Sequence, residues 1–179
     1  MNKLASRPAS LDDAERIAQI YNEGIEDRVG TFETRPRSAA DVAAWFDGRH
    51  PIVVVEAADA GVIAFASTST YRSRECYAGI AEFSVYVARN GRGRGAGTVA
   101  MRALIEAARD AGYWKLVSRI FIENEASRKL MAAMGFREVG IYEKHGQLDG
   151  QWRDVVIVER LITENLQSAS VPDRNNAPS

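Results

Sequence analysis

The chain has 179 residues, 46% of them hydrophobic and 26% charged, with a formal net charge of -1. That length is typical of one domain and supports a core without cross-links. The near-neutral charge gives no reason to expect nucleic acid or a membrane surface as partner. A single cysteine, Cys76, excludes an internal disulfide. It fits the reducing cytoplasm and reads as a small, semi-buried hydrophobe rather than a catalytic thiol. The first residues carry no apolar run of signal-peptide length, and no stretch approaches the ~20 apolar residues of a membrane span.

Two amphipathic helices are expected early. Ser10-Leu11-Asp12-Asp13 fits a capping box, and Ala14, Ile17, Ile20 and Tyr21 follow at helical spacing. Ser38-Ala39-Ala40-Asp41 repeats the signal ahead of Val42, Trp45 and Phe46, and a Gly/Pro-punctuated loop from Val29 to Pro36 lies between. His50, before Pro51, reads as a solvated residue at a helix end. Ile52–Val55 and Val62–Ser67 flank an Ala58-Asp59-Ala60-Gly61 turn and predict a hairpin. A further strand runs from about Ala81 to Val87. A long helix is expected from Gly97 to Ala111, stopped by Gly112. Lys115–Ile122 reads as a buried strand and Asn124–Met134 as a helix closed by Gly135. Phe136–Tyr142 and Val155–Leu161 read as the last strands, with a Gly-rich loop between them. Beyond Leu166 the residues turn small and polar, so one domain over 1–165 and a disordered tail over 166–179 are expected. The order, counted with a strand before the first helix, predicts a mixed α/β fold with helices packed on a central, mostly antiparallel sheet.

The strongest chemical signal is Arg92-Gly93-Arg94-Gly95-Ala96-Gly97-Thr98, set between a strand and the start of a long helix. Glycines let backbone approach an anion closely. The first amides of the helix lack intrahelical partners and point into the loop, where the helix dipole favours negative charge. Arg92 and Arg94 add full positive charges. A Rossmann fingerprint nearly fits Gly91, Gly93 and Ala96. However, the segment lies mid-chain after antiparallel strands, and the next strand ends without the acid that such a site needs. No Gly-Lys-Ser/Thr closes a P-loop. An RNA-binding Arg/Gly segment fits poorly in a near-neutral chain with one such cluster.

The same segment resembles the Arg/Gln-x-x-Gly-x-Gly/Ala signature of the GNAT acetyltransferase superfamily. Val85-Tyr86-Val87 resembles the strand whose backbone pairs with the pantetheine arm of acetyl-CoA. Asn124 to Leu130, leading to Met134-Gly135-Phe136, resembles the family's second CoA-contacting helix. From Arg7 to Leu161 the chain is similar to the branch that acetylates phosphinothricin, arsinothricin and methionine sulfoximine, with the arsinothricin enzymes the nearest. The matching pieces include Ile20-Tyr21-Asn22, Thr31-Phe32, Tyr71-Arg72-Ser73-Arg74, Glu82 and the Gly-x-x-x-Gly-x-Trp-x-Asp spacing from Gly146 to Asp154.

The resemblance implies acetyl-CoA as cosubstrate, held by Val85, Tyr86, Val87, Arg92, Gly93, Arg94, Gly95, Ala96, Gly97, Thr98, Asn124 and Ser127. It implies Glu82 as general base, directly or through water, and a Val85 or Val87 N–H at the thioester oxygen. Arg72 and Arg74 would grip acidic ends of a small amino acid, with Phe32 walling the pocket or plugging the core, and His145 near the substrate. Many members place a tyrosine four residues before the Gly of the Gly-Phe exit. Met131 stands there, so water or Tyr142 would protonate the leaving thiolate. A homodimer is implied. Two histidines and one cysteine, far apart, give no zinc spacing. Acetylation of protein N-termini or lysines, and a non-catalytic acyl-CoA-binding module, are the rival readings.

Overall fold

The computed structural model describes residues 3–166; all of the expected tail but its first residue, Leu166, lies outside that range. Seven strands form one sheet in the order β1-β2-β3-β4-β5-β7-β6. The strands are β1 (Leu4–Pro8), β2 (Ile52–Ala57), β3 (Gly61–Thr70), β4 (Ile80–Val87), β5 (Lys115–Phe121), β6 (Arg137–Leu148) and β7 (Gln151–Leu161). The helices are α1 (Ala14–Asp27), α2 (Ala39–Ala43), α3 (Ala96–Asp110) and α4 (Glu125–Ala133). Every strand pairing is antiparallel except β4 with β5. The mixed α/β architecture expected from the sequence is present.

The strand alternation divides the core. Val54 and Phe65 turn to one face, where Ile17 and Ile20 of α1 and Val42 of α2 cover them. Val53, Val55, Ile63 and Ala81 turn to the other, against Ala100, Met101 and Leu104 of α3 and Met131 of α4. Burying a side chain such as Met101 or Leu104 contributes roughly 1.5–3 kcal/mol each. Both capping boxes form: the carboxylates of Asp13 and Asp41 accept the Ser10 and Ser38 amides, each at 2.8 Å. The second helix is shorter than its apolar run suggests. It ends at Ala43, and Trp45 and Phe46 reach the same core from the turns that follow.

Three expectations need correction. The Gly-rich segment from Gly146 to Asp154 is the tip of a β6–β7 hairpin, with Gly146 paired to Arg153 and Leu148 to Gln151. Its two-residue turn is Asp149-Gly150, at φ 50° and 76°, the left-handed pair that such tight hairpins require. Asp154 pins a bulge in β6 by accepting the Lys144 amide at 2.7 Å. Cys76 is exposed, because it lies on a short 3-10 turn in the β3–β4 connection, outside the sheet. The His50 side chain is only 8% exposed. Asp47 curls the chain after α2 back by accepting the Arg49 and His50 amides, and this turns the ring inward.

Candidate active site

The parallel pairing of β4 with β5 covers only Ile80–Glu82 against Lys115–Val117. Beyond it the two strands part. β4 stays attached to β3 as far as Val87, and β5 to β7 as far as Phe121. The inner edges that face each other across the gap therefore carry backbone groups with no strand partner, a ready match for an extended amide-bearing ligand.

A cleft of about 490 Å³ fills this gap. Phe83–Val87 and Ser118–Phe121 line its walls, and the loop before α3 and the first turn of α4 line its ends. Gly93 and Gly95 hold φ at 72° and 83°, a region that costs a residue with a Cβ about 1–2 kcal/mol. Gly95 is the N-cap of α3, so the helix's first amides face the cleft. Asn124 caps α4 by accepting the Ser127 amide at 3.1 Å, and its amide donates to the Val29 carbonyl at 2.9 Å.

Of the residues expected to hold the cofactor, all but one line this cleft. The exception is Arg94, which pairs with Asp59 at 2.8 Å. Arg92 lines the cleft but pairs with Asp27 of α1 at 2.5 Å, so its charge is shared before any ligand arrives. Asp27 also accepts from Arg89 at 2.7 Å. These two hydrogen bonds, Arg89 first, hold its carboxyl below the usual range. Tyr86 serves the cleft through its backbone, since its ring packs edge-on against Tyr21 at 4.8 Å and stacks on Phe65. Burial, then Tyr21, pushes its phenol well above the ordinary value.

Glu82 stands where the two strands begin to part. Its carboxylate is paired with the guanidinium of Arg119, across the gap on β5. Arg119 was not singled out from the sequence. It lies 37 residues away, and only the parallel register makes them neighbours.

The expected acceptor residues are dispersed around this point. Phe32 packs edge-on against Phe121 at 4.8 Å, so it wedges the core beside the cleft. A Cβ on Gly146 would sit 2.8 Å from the Phe32 ring, so only glycine lets the hairpin close on that loop. Arg28 binds Asp149 at 2.9 Å and adds a second tie. Arg72 and Arg74 are exposed in the β3–β4 connection, with guanidinium carbons 5.2 and 5.9 Å from the rings of Tyr71 and Tyr77. His145 is exposed against Tyr142 at 5.0 Å. None of these four, nor Tyr142, lines the cleft itself. Met131 does. Among the described residues no group of three or more His, Cys, Asp or Glu is placed to hold a metal. No described helix is long and apolar enough to cross a membrane.

The Acetyltransferase (GNAT) domain family matches residues 3–137. The chain belongs to the GNAT acetyltransferase family. It is 34% identical to an L-methionine sulfoximine/L-methionine sulfone acetyltransferase from Pseudomonas paraeruginosa, across 86% of this chain and 91% of that one. It is 31% identical to a phosphinothricin N-acetyltransferase from Streptomyces coelicolor, across 86% and 94%. A phosphinothricin acetyltransferase from Sinorhizobium meliloti, solved with acetyl-CoA, superposes with a TM-score of 0.85 at 28% identity, covering 98% of this chain and 96% of that one. The protein is thus an acetyl-CoA-dependent N-acetyltransferase of the phosphinothricin branch. The cleft fits that cosubstrate: left-handed glycines and free helix amides for a pyrophosphate, then unpaired strand edges for an amide-bearing arm.

Proposed function

We propose that the enzyme acetylates the α-amino group of a small glutamate-like amino acid, such as arsinothricin or phosphinothricin, and so detoxifies it for the cell. The observation that supports a small acceptor is the closure of the Phe32 loop on the β6–β7 hairpin, through the Phe32–Gly146 contact and the Arg28–Asp149 pair. A peptide would need that side open. The relatives named for methionine sulfoximine and phosphinothricin point to the same class.

Acetyl-CoA supplies a thioester carbonyl open to an amine nucleophile. The amine is mostly protonated near neutrality and must first lose a proton. Glu82 takes that proton, directly or through water, when the amine displaces Arg119 from one of its oxygens. A backbone N–H of Val85 or Val87 holds the carbonyl oxygen as charge develops on it. Arg72 and Arg74 swing on their exposed connection to grip the acceptor's acidic groups. Water protonates the thiolate. The working form is a cytoplasmic homodimer in which residues 1–165 make up one domain.

The test is free-thiol release from acetyl-CoA with glutamate, phosphinothricin, arsinothricin, methionine sulfoximine and a lysine peptide. Turnover confined to the oxyacid analogues is expected. Turnover on the peptide alone would transfer the assignment to protein acetylation, and tight cofactor binding with no turnover would make the domain a sensor.

A further inference from the structure

A second cavity of about 350 Å³ lies against β4, on the sheet face covered by α1 and α2. Tyr21, Trp45 and Phe65 line one part of it. The rest is polar: Ser67, Ser69 and Thr70 of β3, Ser84 of β4, and Asp47 and His50. It shares Ser84 and Tyr86 with the cofactor cleft.

Glu82 sits beside this cavity. Ser69 is its direct partner across the antiparallel ladder, and Ser84 lies two residues along the same strand. Both therefore share its face of the sheet, within side-chain reach. At the far side, the His50 ring has Nδ1 2.5 Å from Asp47 Oδ2 and Nε2 3.3 Å from Thr70 Oγ1. A carboxylate only accepts, so Nδ1 carries the hydrogen; in the neutral ring Nε2 then offers a lone pair towards Thr70. Asp47 is fixed by the Arg49 and His50 amides. The other titratable and charged groups near the ring are the Tyr113 phenol, stacked at 6.1 Å, and Arg49, whose carbonyl accepts from that phenol.

Acetylating an ammonium group yields an amide, a thiol and one net proton, which must leave the site. We propose that His50, oriented by Asp47, accepts this proton from Glu82 through the hydroxyl-lined cavity. The inference rests on Glu82 as the base. In this step the O–H of protonated Glu82 breaks and its carboxylate is restored. The proton moves along cavity water and the Ser69, Ser84 and Thr70 hydroxyls, and a new N–H forms at Nε2. The imidazolium, held by Asp47, then gives up the same Nε2 proton to solvent water that reaches the cavity, which restores the starting tautomer. A cavity of this size, lined by hydroxyls on one side, has room for the connecting waters.

His50→Gln keeps the side chain's bulk and removes its proton affinity. Turnover of this variant should fall about tenfold or more, with the KM for acetyl-CoA unchanged. In His50→Ala, which leaves room for it, added imidazole should restore most of the loss, and in both variants the limb of the kcat–pH profile that reports the imidazole should vanish. Asp47→Asn, which keeps the ring in place, should show a smaller loss that imidazole does not restore. Unchanged kcat in His50→Gln, or a loss in His50→Ala that imidazole does not restore and that tracks a lowered Tm, would overturn the relay. Glu82→Gln separates the two readings. Full turnover there removes the base and the relay with it, whereas its collapse beside an unaffected His50→Gln removes the relay alone.

Discussion

The two ends of the active site are built in opposite ways. The cofactor end is assembled mostly from one contiguous stretch: a strand, the loop that follows it and the helix turn that the loop opens, all within Phe83–Thr98, with β5 as the opposite wall and the start of α4 at its end. The acceptor end is assembled from distant ones. Glu82 meets Arg119, Phe32 meets Phe121 and Gly146, and Arg28 meets Asp149. A local site depends on backbone conformation, which glycines and helix ends dictate. A dispersed site depends on side chains whose neighbours are set by register and topology. Damage should accordingly take different forms at the two ends.

The largest effect is expected at their junction. Glu82→Gln should lower kcat by ~10²–10⁴, the usual reach of a positioned base, while the acetyl-CoA dissociation constant stays put, as isothermal titration would show. A comparable loss of cofactor affinity would mean that the two ends are not separable. Next, Arg74→Ala should raise KM for an oxyacid acceptor ~10–100-fold, since a hydrogen bond to a charged group contributes ~1.5–3 kcal/mol. Steady-state kinetics with and without the second acid group on the acceptor checks it. Equal losses for both acceptors would show that Arg74 supports the loop rather than the ligand.

The same contrast explains what was legible in the sequence. Arg92 to Thr98 announced an anion cradle because strand, glycines and helix start are contiguous, and all of these residues except Arg94 line the cleft. The pairing of Arg94 with Asp59 was not legible, since it joins the loop to the β2–β3 turn. Glu82 could be singled out only by resemblance, and Arg119 not at all. The segment from Gly146 to Asp154 looked like a loop because glycine is rare within strands. Here it is required by Phe32, 114 residues earlier in the chain, whose ring occupies the place of a Cβ. His50 was misjudged for a similar reason: its burial depends on the Asp47 turn and on Tyr113.

At the cofactor end a smaller loss is expected. Gly95→Ala must hold a Cβ at φ 83°, at a cost of about 1–2 kcal/mol. Nothing lies within 4 Å of that Cβ, so the cost is conformational and not a clash. Part of it should appear as a lower Tm and part as weaker acetyl-CoA binding, about five- to tenfold by titration. An unchanged acceptor KM would keep the two ends distinct.

The smallest effect concerns the scaffold that α1 provides to both ends. Arg7 donates to both oxygens of Asp13, at 2.7 and 2.8 Å, and Asp13 is nearly buried. The Arg7 hydrogen bonds hold the Asp13 carboxyl below its ordinary value against the opposing cost of burial. A folded-state pKa below the unfolded one stabilises the fold above the unfolded value, ~3.9, and that contribution fades as pH falls from there towards the folded value. Asp13→Asn should therefore cost ~1–2 kcal/mol at neutral pH and flatten the acid limb of stability below about pH 4, as urea unfolding across pH would measure. Glu138, lowered by Arg128 but exposed, offers the control. Its pair is screened by water, so Glu138→Gln should leave the acid limb almost as steep as in the parent. An equal flattening in both variants would mean that acid unfolding follows the overall charge of the chain, not the anchor at the base of α1.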